Sequence, residues 1–427
     1  MTLTHHSLST TLSKHLTEDV GYIDLEPLIR HPLELHSYPL YSDHTEVYPK
    51  EDYNVGSSLF KALLRYYLDE NEFSDKFLFH HLQWADRTIN ENKSFSYHMV
   101  QPKKEGPFNG VILLFHGLNE KSWDKYLPWA ATLSDHTGRP VILFPLAFHM
   151  DRAPRSWSNP RSMIPVARER KKLFPDLSSV SFLNAALSHR IQFAPHRFIT
   201  SGLHSFFDVR DLTRAIRRGD HTSFTEGASV DIFGYSIGAS LAELLLLADP
   251  EQLFSDSRAF LLCGGSTLDL ATPVSKTIID GEAYKELFGF FNSLFGDIGA
   301  LGEHFLSLTG KCIRELEWLK SLLFIDRLKA LREGRLQQIA HRISAAVMKR
   351  DQVFSPQAVR AGLTGASGTI PIHIKEYDLP FPYSHETPFP TSWDQSGAVT
   401  SAETVEAEVD HVFQEIMNTA GRFFCNV

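Results

Sequence analysis

The sequence predicts an α/β protein with a mostly parallel central sheet of about eight strands flanked by helices. Three observations carry this. Val111 to Phe115 and Val141 to Phe144 are short unbroken apolar runs, the pattern of strands buried on both faces of a parallel sheet. Between them a helix-forming stretch, about Trp123 to His136, stops at Gly138, which gives β-α-β order. Further on, a β-rich run, Val230 to Phe233, meets a strong helix former, Ala239 to Leu247, with only Gly234-Tyr235-Ser236-Ile237-Gly238 between them.

That junction organises the chain. A strand turning directly into a helix forces the middle residue into strained backbone geometry. The flanking positions are crowded, so both are glycine. The serine oxygen stands clear at the tip, where the helix start aims free N–H groups and favours a developing negative charge. The G-x-S-x-G pattern between a strand and a helix reads as a nucleophile elbow.

The remaining elements follow in order. Residues 1–75 are polar and irregular, with one amphipathic helix at about Ser57 to Asp69. Tyr22 to Asp52 is rich in Pro, His and Tyr and reads as an arm laid over the surface. Phe95 to Val100 is a strand followed by a Pro102–Pro107 turn region. A helix at about Gly202 to Arg218 leads into the elbow strand, and Ala259 to Cys263 is the next strand. Residues 270–342 break the rhythm with helical, aromatic sequence: Tyr284, Phe288, Phe291, Phe295, Phe305 and Trp318. Strands resume at Ile343 to Met348 and Ile370 to Tyr377, and a last amphipathic helix covers about Glu403 to Phe424.

Composition narrows the function. The 427 residues exceed a usual single core, so an inserted segment or second domain is expected. Hydrophobic content of 43% and charged content of 22% are those of a soluble globular chain. A net charge of −9 argues against nucleic acid as a main partner. The polar N-terminus shows no signal peptide, and no apolar run is long enough to span a membrane. The three cysteines, Cys263, Cys312 and Cys425, lack paired spacing and read as reduced thiols of a cytoplasmic protein. The 21 histidines form no metal-ligand motif, so no metal or cofactor is expected.

Four motifs in this order, His116-Gly117, Gly234-Tyr235-Ser236-Ile237-Gly238, Lys349-Arg350-Asp351-Gln352-Val353 and Tyr383-Ser384-His385, resemble those of the α/β-hydrolase superfamily, over about residues 94–424. The chain is also similar to a bacterial branch of that superfamily that implies no particular substrate. The resemblance implies Ser, acid and His in chain order, with Ser236 the nucleophile. The acid is Asp351, after a strand end, or Asp269, a less common placement. The histidine is His385, on a Pro-rich loop, or His411, inside the final helix. The resemblance also implies an oxyanion hole from the backbone N–H groups of Leu118 and Ile237. It implies a division into an N-terminal extension (1–93), a core (94–265 and 343–427) and a helical cap (266–342).

On the substrate side, the resemblance sets His116, at a strand end, beside the elbow strand; Tyr235 precedes Ser236, and Arg152, Arg155 and Arg161 follow a strand end on the side where this fold places ligands. Those arginines offer a carboxylate or phosphate site; a solvated basic loop is the other reading. The expected function is a serine hydrolase that cleaves an ester or related acyl bond of a small molecule through an acyl-enzyme. An acyltransferase with the same triad, or a non-catalytic binder on this fold, are the alternatives.

Overall fold

The computed structural model describes residues 4–12, 21–48, 82, 84–295, 313–380, 382–391 and 402–425. The expected helix at Ser57 to Asp69 lies outside them.

One nine-stranded sheet runs through the molecule in the order β1-β2-β3-β5-β4-β6-β7-β8-β9. Its strands are β1 (Tyr22–Asp24), β2 (Leu33–Tyr41), β3 (Ser94–Pro102), β4 (Phe108–Phe115), β5 (Val141–Phe144), β6 (Phe224–Tyr235), β7 (Ala259–Leu262), β8 (Ile343–Met348) and β9 (His373–Tyr377). The six strands from β5 to β9 across the sheet are parallel. The first three are antiparallel to their neighbours. Parallel strands need crossovers, and helices supply them on both faces.

The longer helices, in chain order, are α1 (His5–Leu12), α2 (Leu127–Thr137), α3 (Pro160–Leu173), α4 (Ala185–Phe193), α5 (Arg197–Arg218), α6 (Ile237–Ala248), α7 (Gly281–Ser293), α8 (Ile313–Ser321), α9 (Lys329–Ile339), α10 (Pro356–Thr364) and α11 (Ala402–Cys425). Strand β4 shows how the two layers form. Val111, Leu113 and Phe115 enter one core with α5 and α6, whereas Ile112 and Leu114 enter the other with α1, α2 and α11. Side chains alternate across a strand, so an apolar residue at every position buries both faces. The architecture is that of the α/β-hydrolase fold. Among the described residues no helix is long and apolar enough to cross a membrane.

The expected surface arm differs in structure. Its residues 22–24 and 33–41 are β1 and β2, which extend the sheet beyond the eight strands expected. Leu33 and Leu35 are buried, and β2 pairs with β3 along its whole length from Leu33↔Pro102 to Tyr41↔Ser94. Pro39 within the run argues against a strand in sequence, but long-range pairing with β3 outweighs it.

The register positions the site. Phe115 lies opposite Gly234, Tyr235 opposite Leu262, Leu262 opposite Ala346, and Met348 opposite Tyr377. The parallel strands therefore end together, and the loops after β4, β6, β7 and β8 open at one edge, where this class of sheet presents ligand-binding groups.

Candidate active site

The elbow after β6 has the strain that its sequence requires. Ser236 sits at φ 56°, ψ −122°, a backbone conformation costing on the order of 1–3 kcal/mol in a non-glycine residue. A Cβ on Gly234 would lie 2.7 Å from Ala239 Cα and from Gly238 O. A Cβ on Gly238 would lie 2.6 Å from Phe115 O and 2.8 Å from His116 O. The first glycine thus lets the turn close on itself, and the second lets α6 approach the end of β4.

Ser236 Oγ is 2.7 Å from His385 Nε2, and His385 Nδ1 is 2.8 Å from Asp351 Oδ2. A carboxylate only accepts, so Nδ1 carries the proton and Nε2 accepts from the serine hydroxyl. The second oxygen of Asp351 accepts from the amides of Val353 (2.8 Å) and Phe354 (2.9 Å), which fixes the carboxylate. All three residues are buried, each 4% exposed. His385 is held from behind: Tyr235 OH donates to the His385 carbonyl oxygen, and the two rings stack at 5.4 Å. The neighbouring Glu386 accepts from the hydroxyls of Ser275 (3.0 Å) and Thr277 (2.5 Å).

The competing acid and histidine lie elsewhere. Asp269 accepts from Thr267 Oγ1 (2.6 Å) and from the Ile325 amide (3.1 Å), closing the turn after α8 onto the loop after β7. His411 is on the exposed face of α11.

Leu118 and Ile237, the expected oxyanion donors, both line the cavity that contains Ser236. The turn carrying Leu118 is pinned, because the Gly117 amide donates to Tyr126 OH (2.9 Å), which donates to Glu120 Oε1 (2.8 Å). Residues Tyr126 and Glu120 were not singled out in sequence, and no spacing signals a tyrosine that binds a backbone amide nine positions back.

Three expected substrate contacts need correction. His116 Nε2 accepts from the Leu146 amide (2.9 Å) and Nδ1 donates to Gly117 O (2.8 Å). Burial pushes its pKa well down, so it is a neutral structural ring with no nitrogen left for a ligand. Tyr235 is also buried and spends its hydroxyl on the His385 loop. Arg152 is fully buried. Its guanidinium pairs with Asp208 (2.7 Å), bonds Asn92 Oδ1 (3.0 Å), and lies 4.0 Å from the Phe95 ring centroid. A cation enclosed this way needs those partners to offset its desolvation and is closed to a substrate. Arg155 and Arg161 are solvent-exposed, and neither lines the two cavities beside the elbow.

The Ser236 cavity holds about 510 Å³ and is walled by apolar groups, among them Ile279, Tyr284 and Phe291 from the segment after β7. That segment is anchored by a buried pair missed in sequence. Arg170 of α3 donates through Nε (2.7 Å) and Nη2 (2.8 Å) to Asp280, whose carboxylate also caps α7 at the Ala283 amide (3.0 Å). Among the described residues no group of three or more His, Cys, Asp or Glu side chains is arranged to hold a metal ion.

The sheet order, the elbow and the loops at one edge define a protein of the α/β-hydrolase fold. More particularly, the chain belongs to DUF6051, a family of unknown function, whose profile matches residues 14–425. No functionally curated protein sequence matches it. Among solved structures it is similar to carboxyl esterase 2 of the mycorrhizal fungus Tuber melanosporum, at 11% identity and a TM-score of 0.38, over 78% of this chain and 84% of that one. It is similar to a thermostable esterase of Pseudomonas putida at 12% identity and TM-score 0.37, over 78% and 80%. Acetyl xylan esterase 1 of a Thermoanaerobacterium species matches at 16% and 0.34, over 76% and 79%. Likenesses this distant transfer no activity to the present chain.

Proposed function

We propose that the protein is a serine hydrolase that cleaves a carboxylic ester or related acyl bond of a small molecule through a covalent acyl-enzyme. The observation behind this reading is the hydrogen-bonded chain Ser236–His385–Asp351 at the tip of a strained strand-to-helix turn.

In this reading Ser236 Oγ attacks the acyl carbon as its proton passes to His385 Nε2. Asp351 keeps the imidazole in the required tautomer and stabilises the imidazolium. The negative oxygen of the tetrahedral intermediate accepts from the Leu118 and Ile237 amides; neither amide donates elsewhere among the described residues. The intermediate collapses, His385 protonates the departing alkoxide, and the acyl group stays on Ser236. Water then gives a proton to His385, attacks the acyl-enzyme, and releases the acid as Ser236 regains its proton. The described residues of the segment 266–342 serve as the cap of this site, and the apolar cavity beneath α7 receives the acyl group.

The test is covalent labelling by a fluorophosphonate probe. The wild-type chain should gain one adduct on Ser236 by intact mass and peptide mapping. Ser236→Ala should gain none while its thermal unfolding is little changed, because a serine at a turn tip supports little packing. Labelling that persists in the variant, or that falls on Ser240, would overturn the assignment.

A further inference from the structure

The Ser236 cavity has an apolar neighbour. A second cavity, about 660 Å³ with its open mouth included, lies along α5 and α6, walled by Leu146, Leu241, Leu244, Leu319 and Leu323. The two share Leu118, Phe198, Ile237 and Leu268 as lining. The two chambers, near and far, therefore adjoin beside the elbow, with these four residues between them. Among the described residues no Lys, Arg, Asp or Glu lines either chamber, so a charged group placed there would lose its hydration without a partner from them.

The far chamber is nevertheless not uniformly apolar. Ser201 Oγ donates to Phe198 O (3.0 Å), and Ser205 Oγ donates to Ser201 O (2.9 Å); these two are satisfied. Ser240, one turn along α6 from Ser236, is 9% exposed and its hydroxyl has no hydrogen-bond partner among the described residues. His149 spends Nδ1 on Ala147 O (2.9 Å). Burial pushes its pKa down to about 4, so the ring is neutral and Nε2 is an acceptor with no partner among the described residues. Buried polar groups are normally paired, which the Ser240 hydroxyl is not, and half-buried His149 adds an unpaired acceptor to the lining of the same mainly apolar chamber.

Building on the reading of Ser236 as acyl nucleophile, we propose that the far chamber binds the distal part of a long, uncharged acyl chain carrying a hydroxyl oxygen, which Ser240 and His149 hydrogen-bond. The hydroxyl donates to His149 Nε2 and accepts from Ser240 Oγ–H. The methylenes on either side fill the leucine-lined space. A medium-to-long hydroxyacyl ester is thus the substrate class, in place of the anionic ester that the arginine loop suggested in sequence.

The experiment compares kcat/KM for 4-nitrophenyl acetate, decanoate and a set of hydroxydecanoate positional isomers. Decanoate should exceed acetate, and at least one isomer should exceed decanoate by about tenfold, the worth of one well-placed hydrogen bond. Ser240→Ala should abolish that preference. Gly202 of α5 lines the far chamber, and a Cβ there meets only Leu319 Cδ1 at 3.6 Å, an ordinary contact. Gly202→Leu therefore projects into the chamber and should lower the decanoate-to-acetate ratio by about tenfold, roughly the loss expected when a few methylenes are excluded. Equal turnover of acetate and decanoate, no favoured isomer, or an unchanged preference in Ser240→Ala overturns the proposal. Fluorophosphonate labelling of the same preparation separates this from failure of the hydrolase reading. Should Ser236 not label, fluorescence titration of Ser236→Ala with methyl hydroxydecanoates and methyl decanoate decides the chamber by itself. The favoured hydroxyl ester must bind more tightly, and the added Ser240→Ala change must erase the difference.

Discussion

Asp351 shows how a single carboxylate can be specified by two sets of bonds. Its Oδ1 is fixed by two backbone amides of the turn that follows, and its Oδ2 is thereby presented to His385. Asp269 follows the adjacent strand but spends its oxygens on Thr267 and Ile325. The two changes Asp351→Asn and Asp269→Asn should therefore separate cleanly. An amide at 351 can present its N–H₂ group to Nδ1 and favour the wrong imidazole tautomer, lowering kcat by about 10⁴-fold. At 269 the change loosens a turn and should lower thermal stability with a much smaller effect on kcat. Comparable loss of kcat in both variants would remove the distinction.

At the scale of elements, α6 is the part that connects the site to the segment above it. Its first turn carries Ile237 and Ser240, and one turn further Glu243 is buried against α9. Burial raises the Glu243 pKa from 4.5 to about 8, and the Arg332 guanidinium offsets this only in part. Arg332 is itself committed to the carbonyls of Ser321 and Ile325 (2.6 Å each), which bracket the Leu322 and Leu323 wall of the far chamber. A raised carboxyl pKa means that the folded chain keeps a proton the unfolded chain releases. Between about pH 4.5 and 8 the unfolded state then binds fewer protons, so the Glu243 contribution is complete below 4.5 and is lost as pH rises toward 8. Glu243→Gln stays neutral throughout. Its melting temperature should match wild type near pH 4.5 and exceed it increasingly up to pH 8. A gap that does not change with pH would show that Glu243 is not held neutral in the fold.

On the scale of the whole molecule, the N-terminal region is built into the fold through charge as well as sheet pairing. Ser42, just past β2, donates to Asp208 (2.6 Å) and contacts His204, both on α5. Tyr48 bonds His204, and Asn92 bonds both Tyr48 (3.2 Å) and Arg152. Arg152 closes this network on Asp208 with both side chains essentially inaccessible. At the other end of the region, the His5 amide donates to Asp410 of α11 (2.6 Å), and Leu8 and Leu12 join the core between α2 and α11. Arg152→Met should leave the Asp208 carboxylate buried without its cation and cost about 3–5 kcal/mol, read as a lowered midpoint of urea unfolding. Adding Asp208→Asn should recover part of the loss, since the buried charge is gone. The ratio of turnover on acidic and neutral esters should not move. A selective loss on acidic esters with unchanged stability would restore Arg152 as a ligand group.

What depends on near neighbours is legible along the chain. The apolar runs of β4, β5 and β8 and the strand-to-helix turn at Ser236 are local patterns, because strand and helix periods are written in adjacent residues, whereas the acid stays open between Asp351 and Asp269 and the histidine between His385 and His411. Tertiary structure decided what depends on distance and direction. Ser236 and His385 are 149 residues apart, and Asp351 rather than Asp269 faces the imidazole because of a turn between β8 and α10. Arg152, His116 and Tyr235 lie near strand ends, but their side chains turn into the core, where buried polar groups find partners. The arm became β1 and β2 for the same reason. A Pro- and His-rich run shows little strand character alone, and its pairing with β3 exists only once residues some sixty positions away lie beside it, with separations such as the 61 between Ser37 and His98.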